Sequence, residues 1–361
     1  MVSKSSKIGL AVAGVVVAGA VVAGAVNHKD TGSSSTPKFS VAMITDTAQT
    51  VQDRSFNQVT WEGLQSWGKE HGYKQGQGYD YFLSKSQSDF NANFQLAQKQ
   101  GYDLQAGVGF DLHNAVEKNA KQNPKTKYVL VDDIIEGQKN VVSLMFRSEE
   151  SSYLAGVAAA KQAQSQGSKN IGFIGGMHGS VIDRFEQGFD QGVASVDKTI
   201  KITSVYANSY TDAPKGQQIA KAMIANGTKV IFAAAGSTGN GAFTAVKNTD
   251  SELNANSKDR VWMVGVDIDQ YTDGKFTSKD GKQESSTLTT SLTEVGNGLK
   301  KIADQTEKGN FPAGKTIWYG LKDNGVGVTK NNMSKDVLKA VNDAEQKIVD
   351  GDIKITVKKS N

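Results

Sequence analysis

The sequence predicts an α/β protein built as two doubly wound lobes with parallel sheets, on three observations. From Lys38 onward, short apolar runs alternate with amphipathic segments of helical length. Apolar strands interleaved with helices belong to parallel sheets covered on both faces. Nine such runs are too many for one comfortable sheet, and 361 residues are too many for one ordinary core.

Taken in order, the strand candidates of the first lobe are "FSVAMIT", "YDYFL", "LQAGVG", "KYVLVDD" and "NVVSLMF". A break near "RSEESSYLAG", residues 147–156, precedes "NIGFIGG", "KITSVYA", "KVIFAAAG" and "RVWMVGVD". Helical periodicity is visible in "FNANFQLAQKQ", "LHNAVEKNAKQ", "YLAGVAAAKQAQ" and "GQQIAKAMIANG". The expected division is a first lobe over 39–150 with about 290–315 returning to it, and a second over 151–289 with about 316–361. After Gln270 the polar, turn-rich "YTDGKFTSKDGKQESS" obscures where the chain crosses back. No internal repeat is evident.

The N-terminus reads separately. Two lysines in "MVSKSSK" precede an uncharged run from Ile8 to Val26, about 19 residues, which is long for a signal peptide and just long enough to span a bilayer. Residues 1–26 are therefore expected to be a signal or membrane anchor, with the anchor preferred, although Ala23-Gly24-Ala25 would fit a cleavage site. "NHKDTGSSSTPK", 27–38, reads as a tether. With no cysteine, disulfides, thiolate metal sites and lipid attachment are excluded. A net charge of +4, without Lys/Arg clusters interleaved with aromatics, argues against nucleic acid and is compatible with an anionic membrane surface.

Ligands of open parallel sheets bind outside the carboxyl ends of the strands. Those ends carry Asp46, Gly109-Phe110-Asp111, Asp132-Asp133, Gly175-Gly176, the "GSTGNG" loop from Gly236, and Asp267 with Asp269. Carboxylates, glycines and phenylalanines with almost no bases suit a neutral, hydroxyl-rich ligand bearing an aromatic ring. A strand-end aspartate is as often a helix cap, but Asp46, Asp111 and Asp267 on corresponding edges of two lobes are harder to assign to capping alone. "GSTGNG" lacks the Gly-Lys-Ser/Thr of a phosphate loop; its glycines would admit a ligand close to the backbone, or simply make a tight turn. Phe56 and Phe185 would supply one aromatic per lobe, although Phe185 could instead share a core stripe with Phe189. Trp61 and Trp67 read as packing residues. His28, His71, His113 and His178 fall at no metal-ligand spacing, no GxSxG elbow is present, and Asp132-Asp133 and Glu149-Glu150 read as solvated or capping pairs. No catalysis, cofactor or metal is expected.

The pieces "DRSFNQVTWEGL", "GVGFDLHNAVEKNAKQNPKTKYVLVDD", "NVVSLMFRSEESSYLAGVAAA", "IGFIGG", "RFEQGFDQGV", "AAAGSTGNGAF" and "VGVDIDQ" occur in that order between Lys38 and Gln270. In them the chain resembles the basic membrane protein family, which includes PnrA-like purine nucleoside receptors of ABC transporters. The resemblance implies a type I periplasmic-binding-protein fold, two α/β lobes joined by a multi-strand hinge. It further implies that Phe56 and Phe185 sandwich a purine, that Asn57 and Asp111 bond its edge, and that Asp46, Gly236 and Asp267 surround the sugar. Two departures stand out. Lipoproteins of this family carry a cysteine where this chain has Ala25. The family's sugar-contacting lysine in Thr-Ser-x-x-Lys is replaced by Glu294 in "TSLTE", which implies a shifted ligand choice or weakened nucleoside affinity.

The sequence thus predicts a receptor on the extracytoplasmic face of the membrane that closes on a nucleoside-like solute and passes it to an ABC permease. One rival is a surface sensor or adhesin reusing the fold. The other, a nucleoside-processing enzyme, lacks a base and a nucleophile.

Overall fold

The computed structural model of the chain describes residues 37–358, so the expected anchor at 1–26 and nearly all of the tether at 27–38 lie outside the described residues. The first half alternates strands and helices as β1 (Val41–Thr47), α1 (Phe56–Glu70), β2 (Tyr79–Ser84), α2 (Asp89–Gln100) and β3 (Leu104–Val108). It continues with α3 (His113–Gln122), β4 (Lys127–Val131) and β5 (Val141–Phe146). The second half begins with α4 (Ser148–Ser165), β6 (Asn170–Gly175), α5 (Ser180–Val196), β7 (Lys201–Tyr206) and α6 (Ala213–Ala225). Then follow β8 (Val230–Ala234), α7 (Ser237–Ser251), β9 (Trp262–Asp267), the hairpin β10 (Lys275–Thr277) and β11 (Gln283–Ser285), and β12 (Thr287–Thr293). The last elements are α8 (Val295–Glu307), β13 (Thr316–Tyr319), β14 (Val326–Val328) and α9 (Lys335–Asp350).

Two six-stranded sheets result, ordered β13-β5-β4-β3-β1-β2 and β14-β12-β9-β8-β6-β7. All pairs are parallel except β12 with β14. The nine apolar runs are β1 to β9. Pattern reading missed β10 to β14. β12, "TLTTSLT", lies at the interior of its sheet although five of its seven residues carry hydroxyls. Four of the five find partners: Thr287 Oγ1 donates to the Gln270 carbonyl at 2.9 Å, Thr289 Oγ1 to that of Thr329 at 2.6 Å, Thr290 Oγ1 accepts from the Gln270 N–H at 3.2 Å, and the Ser291 hydroxyl pairs with Ser151 at 2.8 Å. Buried hydroxyls with partners cost little, and β-branched threonine fits a pleated strand.

The chain crosses between the sheets three times: at Arg147 from β5 to α4, at Glu294 from β12 to α8, and over 320–325 from β13 to β14. The segment returning to the first sheet therefore runs over 295–319, against the expected 290–315, because β13 extends that sheet beside β5 while β12 belongs to the second. The crossings are tied together. The Arg147 N–H donates to the Tyr319 carbonyl at 2.8 Å, the Leu321 N–H to Glu150 Oε2 at 2.8 Å, and the Glu294 N–H to the Gly325 carbonyl at 2.9 Å.

On the first lobe, α8 packs along α1, and the two backbones touch at glycines. A Cβ on Gly63 would stand 2.3 Å from the Gly296 Cα, and one on Gly296 would stand 2.5 Å from the Val59 carbonyl oxygen. Trp67 and Leu64 of α1 and Leu299 and Ile302 of α8 are buried beside this seam. Gly63→Ala should gain about 1 kcal/mol of helix propensity and lose more to overpacking against a backbone that has nowhere to move. The net expectation is a destabilisation of about 1–2 kcal/mol in urea unfolding; a stabilised variant would show that the helices separate freely.

Candidate functional site

Both sheets share one winding, in which the first strand of each half lies between the second and the third. The order therefore reverses between β1 and β3 in one sheet and between β6 and β8 in the other. Such reversals open crevices at the carboxyl ends of the strands, and here the two crevices face each other across one cavity. Its space, including the opening to solvent, is about 780 Å³, within the range usual for small-molecule sites.

Four backbone positions at this rim are left-handed: Gly109 (φ 123°) after β3, Asp132 (φ 67°) after β4, Gly236 (φ 53°) after β8, and Asp267 (φ 66°) at the end of β9. The two glycines take this conformation without a Cβ penalty. Asp132 and Asp267 hold it at equivalent places in the two sheets, at a cost of order 1 kcal/mol each, and both line the cavity with only 8% of their surface exposed. Asp132 is thus buried rather than solvated, as its pairing with Asp133 in sequence had suggested. Glu149 is likewise buried and pairs with Arg184 at 3.1 Å.

Phe56 and Asn57 reach the cavity because α1 begins there, and Asp53 explains why it begins there. Asp53 Oδ1 accepts from the N–H groups of Ser55 (2.9 Å) and Gln58 (3.2 Å), and Oδ2 from the N–H of Asn57 (3.4 Å). These are the orphan donors of a helix start, met by a carboxylate favoured there by the helix dipole. Asp53 Oδ2 also accepts from Asn57 Nδ2 at 2.9 Å, while Asp46 Oδ1 accepts from the same nitrogen at 2.6 Å. Both amide hydrogens are consumed. Asn57 Oδ1 is left buried with no hydrogen-bond partner among the described residues.

The lobes meet around this helix start. The Ser55 hydroxyl donates to Asp267 Oδ2 at 2.6 Å, Gln270 Nε2 to the Arg54 carbonyl at 2.8 Å, and Asn240 Nδ2 to the Asp53 carbonyl at 3.2 Å. The Arg54 guanidinium reaches Asp273 at 2.8 Å and the Asp269 carbonyl at 3.2 Å. Phe110 and Tyr210, from opposite lobes, stand edge to face with centroids 6.4 Å apart.

Electrostatically the wall is one-sided. Asp46, Asp53, Asp132 and Asp267 line it, and among the described residues no lysine, arginine or histidine does. Burial pushes the Asp46 carboxyl up to about 8, opposed by the Asn57 hydrogen bond and reinforced by the charges of Asp53, Asp111 and Asp267. Burial and the charge of Asp267 raise Asp132 to about 7, against the pull of Arg184. Asp267 rises to about 6 through burial, with the Ser55 hydrogen bond acting the other way. Asp53 is also raised by burial, despite the hydrogen bonds it accepts.

Of the residues singled out from sequence, the structure brings Asp46, Phe56, Asn57, Phe185, Gly236 and Asp267 into one wall. Phe185 joins both readings, since it lines the cavity and also stands edge to face with Phe232 in the core at 6.1 Å. Asp111 and Glu294 are not part of the lining. Asp111 accepts from Gln87 Nε2 at 3.3 Å. Glu294 sits at a crossing, one residue beyond the lining Thr293, accepts from Asn297 Nδ2 at 2.7 Å, and is raised by burial. Sequence reasoning missed Asp53, Ser55, Tyr210 and Thr293. Asp53 could have been found from its place just before a helix start; Tyr210, in a loop after β7, carries no such signal.

A model of the Bmp family, described as "ABC transporter substrate-binding protein PnrA-like", matches residues 39–359. The ABC transporter nucleoside-binding protein BmpA of Lactococcus lactis subsp. cremoris is 46% identical over 92% of this chain and 93% of its own. The CD4+ T-cell-stimulating antigen of Listeria monocytogenes is 44% identical over 90% of each chain. Among solved structures, a solute-binding protein of an ABC transporter system from Aeropyrum pernix K1 superposes with a TM-score of 0.75 at 22% identity, over 90% of this chain and 94% of its own.

Raised carboxyl pKa values mean that the ligand-free closed chain holds more protons than the unfolded chain between about pH 4 and about pH 8. This contribution favours the closed chain at low pH and is lost as pH rises through the values near 6, 7 and 8 of Asp267, Asp132 and Asp46. The urea midpoint without ligand is therefore expected to fall between about pH 5 and about pH 8.5, and Asp46→Asn to flatten that fall. A midpoint that rises with pH would contradict the assignment.

Proposed function

This chain belongs to the PnrA-like family of ABC transporter substrate-binding proteins, and from that premise we propose that it takes a purine nucleoside between its lobes for uptake. It is a binding component of a transporter rather than an enzyme. The observation that carries the ligand assignment is the buried, unpartnered Oδ1 of Asn57, a residue that lines the cavity together with its neighbour Phe56. An amide whose donors are both taken is fixed in orientation and presents only an acceptor, which suits a ring N–H or exocyclic amine of a purine edge. Phe56 and Phe185 supply the apolar faces for the base. Asp46 and Asp267 supply acceptors for sugar hydroxyls, with Gly236 allowing the backbone to come close.

The absence of cations from the lining gives the site a sign. A nucleoside brings donors to the carboxylates, whereas a nucleotide would bring phosphate charge against four of them, so nucleotides are rejected. Delivery is to an ABC permease, since that is the partner a binding protein of this family serves. The N-terminal apolar segment holds the receptor at the extracytoplasmic face of the cell membrane, with 27–38 as its tether. Closure of the lobes on the solute is favoured by the donors the solute contributes, and the closed state is the form presented for transport.

Titration calorimetry tests this on protein unfolded and refolded to strip bound solute, against nucleosides, free bases, nucleotides and sugars. Purine nucleosides should bind and nucleotides should not. Phe56→Ala should weaken binding by about 1–3 kcal/mol, roughly fivefold to 150-fold. Glu294→Lys, which brings a cation beside the carboxylate wall, should tighten it; an unchanged affinity would remove residue 294 from ligand choice. Silence across the whole panel from folded protein would overturn the ligand assignment in favour of a surface sensor or adhesin.

A further inference from the structure

We propose that His71, Asp304 and Glu307 form a binding site for a divalent transition-metal ion of the zinc class, clasping the far ends of α1 and α8. His71 directly follows α1, and Asp304 and Glu307 are three apart in the last turns of α8, so they share a face. The fold thus supplies a spacing that the sequence does not.

The geometry favours a metal over a simple ion pair. His71 Nε2 stands 3.4 Å from Asp304 Oδ1 and 3.2 Å from Glu307 Oε2, and one ligand atom from each of the three residues lies within 4.8 Å of the others. Two ligands held at about 2.0–2.1 Å from one metal at the tetrahedral angle are roughly 3.3 Å apart. A charge-assisted hydrogen bond is shorter, about 2.7–2.9 Å, and the chain makes one elsewhere, with His113 Nδ1 at 2.7 Å from Asp133. His71 is set back from both carboxylates by the distance a shared ion requires.

Outer bonds prepare each ligand. His71 Nδ1 lies 2.9 Å from the Trp67 carbonyl, an acceptor only, so that nitrogen bears a proton and Nε2 is the nitrogen turned toward the carboxylates and open to a metal. The Tyr73 hydroxyl donates to the outer oxygen of Glu307, Oε1, at 2.7 Å, and the Trp67 Nε1–H donates at 2.9 Å to Asp304 Oδ1, the oxygen that also faces His71, using one of its two lone pairs. Neighbouring Glu70 is engaged by Lys300. Two carboxylates and a neutral imidazole balance a divalent charge, and the half-buried position leaves a coordination place for water. Oxygen-seeking magnesium has little use for the imidazole.

The site lies about 20 Å along α1 from Phe56, so the ion would brace the helix pair rather than touch solute. The test uses the full-length, tag-free chain, stripped with chelator and titrated with zinc chloride by calorimetry and thermal unfolding. One ion per chain is expected, with a melting rise of about 5 °C at saturation and no response to magnesium. His71→Gln and Glu307→Gln should each weaken zinc binding at least about tenfold while leaving nucleoside binding unchanged; His178→Gln should bind as the parent does. Zinc binding equal in the parent and His71→Gln, or none in the parent, would overturn the site and leave His71 a partner of two carboxylates only.

Discussion

Four carboxylates share a cavity that no cation among the described residues lines, and the rest of the molecule is organised around that fact. A carboxylate removed from water must be given donors, take up a proton, or find an opposite charge. Here the first two routes operate together. Asp53 is met by the N–H groups that start α1, Asp267 by the Ser55 hydroxyl, and Asp46 by an amide and a raised affinity for protons. What remains unmet is a demand for donors, and a bound solute rich in N–H and O–H groups answers it. The cavity is thus least comfortable when shut and unoccupied.

The same carboxylates explain why one helix start does so much. Asp53 caps α1, and by capping it holds Asn57 so that both its amide donors face acid while its oxygen is left buried without a partner. The flanking Arg54 and Ser55 reach the opposite lobe. Five consecutive residues, Asp53 to Asn57, therefore end a loop, begin a helix, join the lobes and line the site. A change in any of them would be felt in all four roles, because neighbours sharing one hydrogen-bond network do not act additively.

Most of the fold was legible because the first nine strands are apolar runs of ordinary length. The strands that escaped notice escaped for physical reasons. β12 is built of threonine and serine whose burial depends on partners from distant residues such as Ser151 and Thr329, and no local pattern announces them. The site was legible where it rests on strand ends and a motif, hence Asp46, Asn57 and Asp267. It was not legible where tertiary packing decides: Asp132, read as a solvated or capping acid, is buried in the cavity wall, and Tyr210 enters from a loop. Glu294 lies between the two cases: its place in a motif implies a ligand contact, and the crossing from β12 to α8 sets it one residue beyond the lining, bonded to Asn297.

The three crossings, bonded to one another at Arg147 with Tyr319 and at Glu294 with Gly325, set what motion remains. Two bodies connected at one point swivel freely in three directions. Connected at three neighbouring strands, they keep one inexpensive rotation, as a door keeps one on its row of pins. The gap between the lobes then becomes a single number, and whatever grips both outer surfaces at once can tell a full molecule from a vacant one without ever meeting its contents.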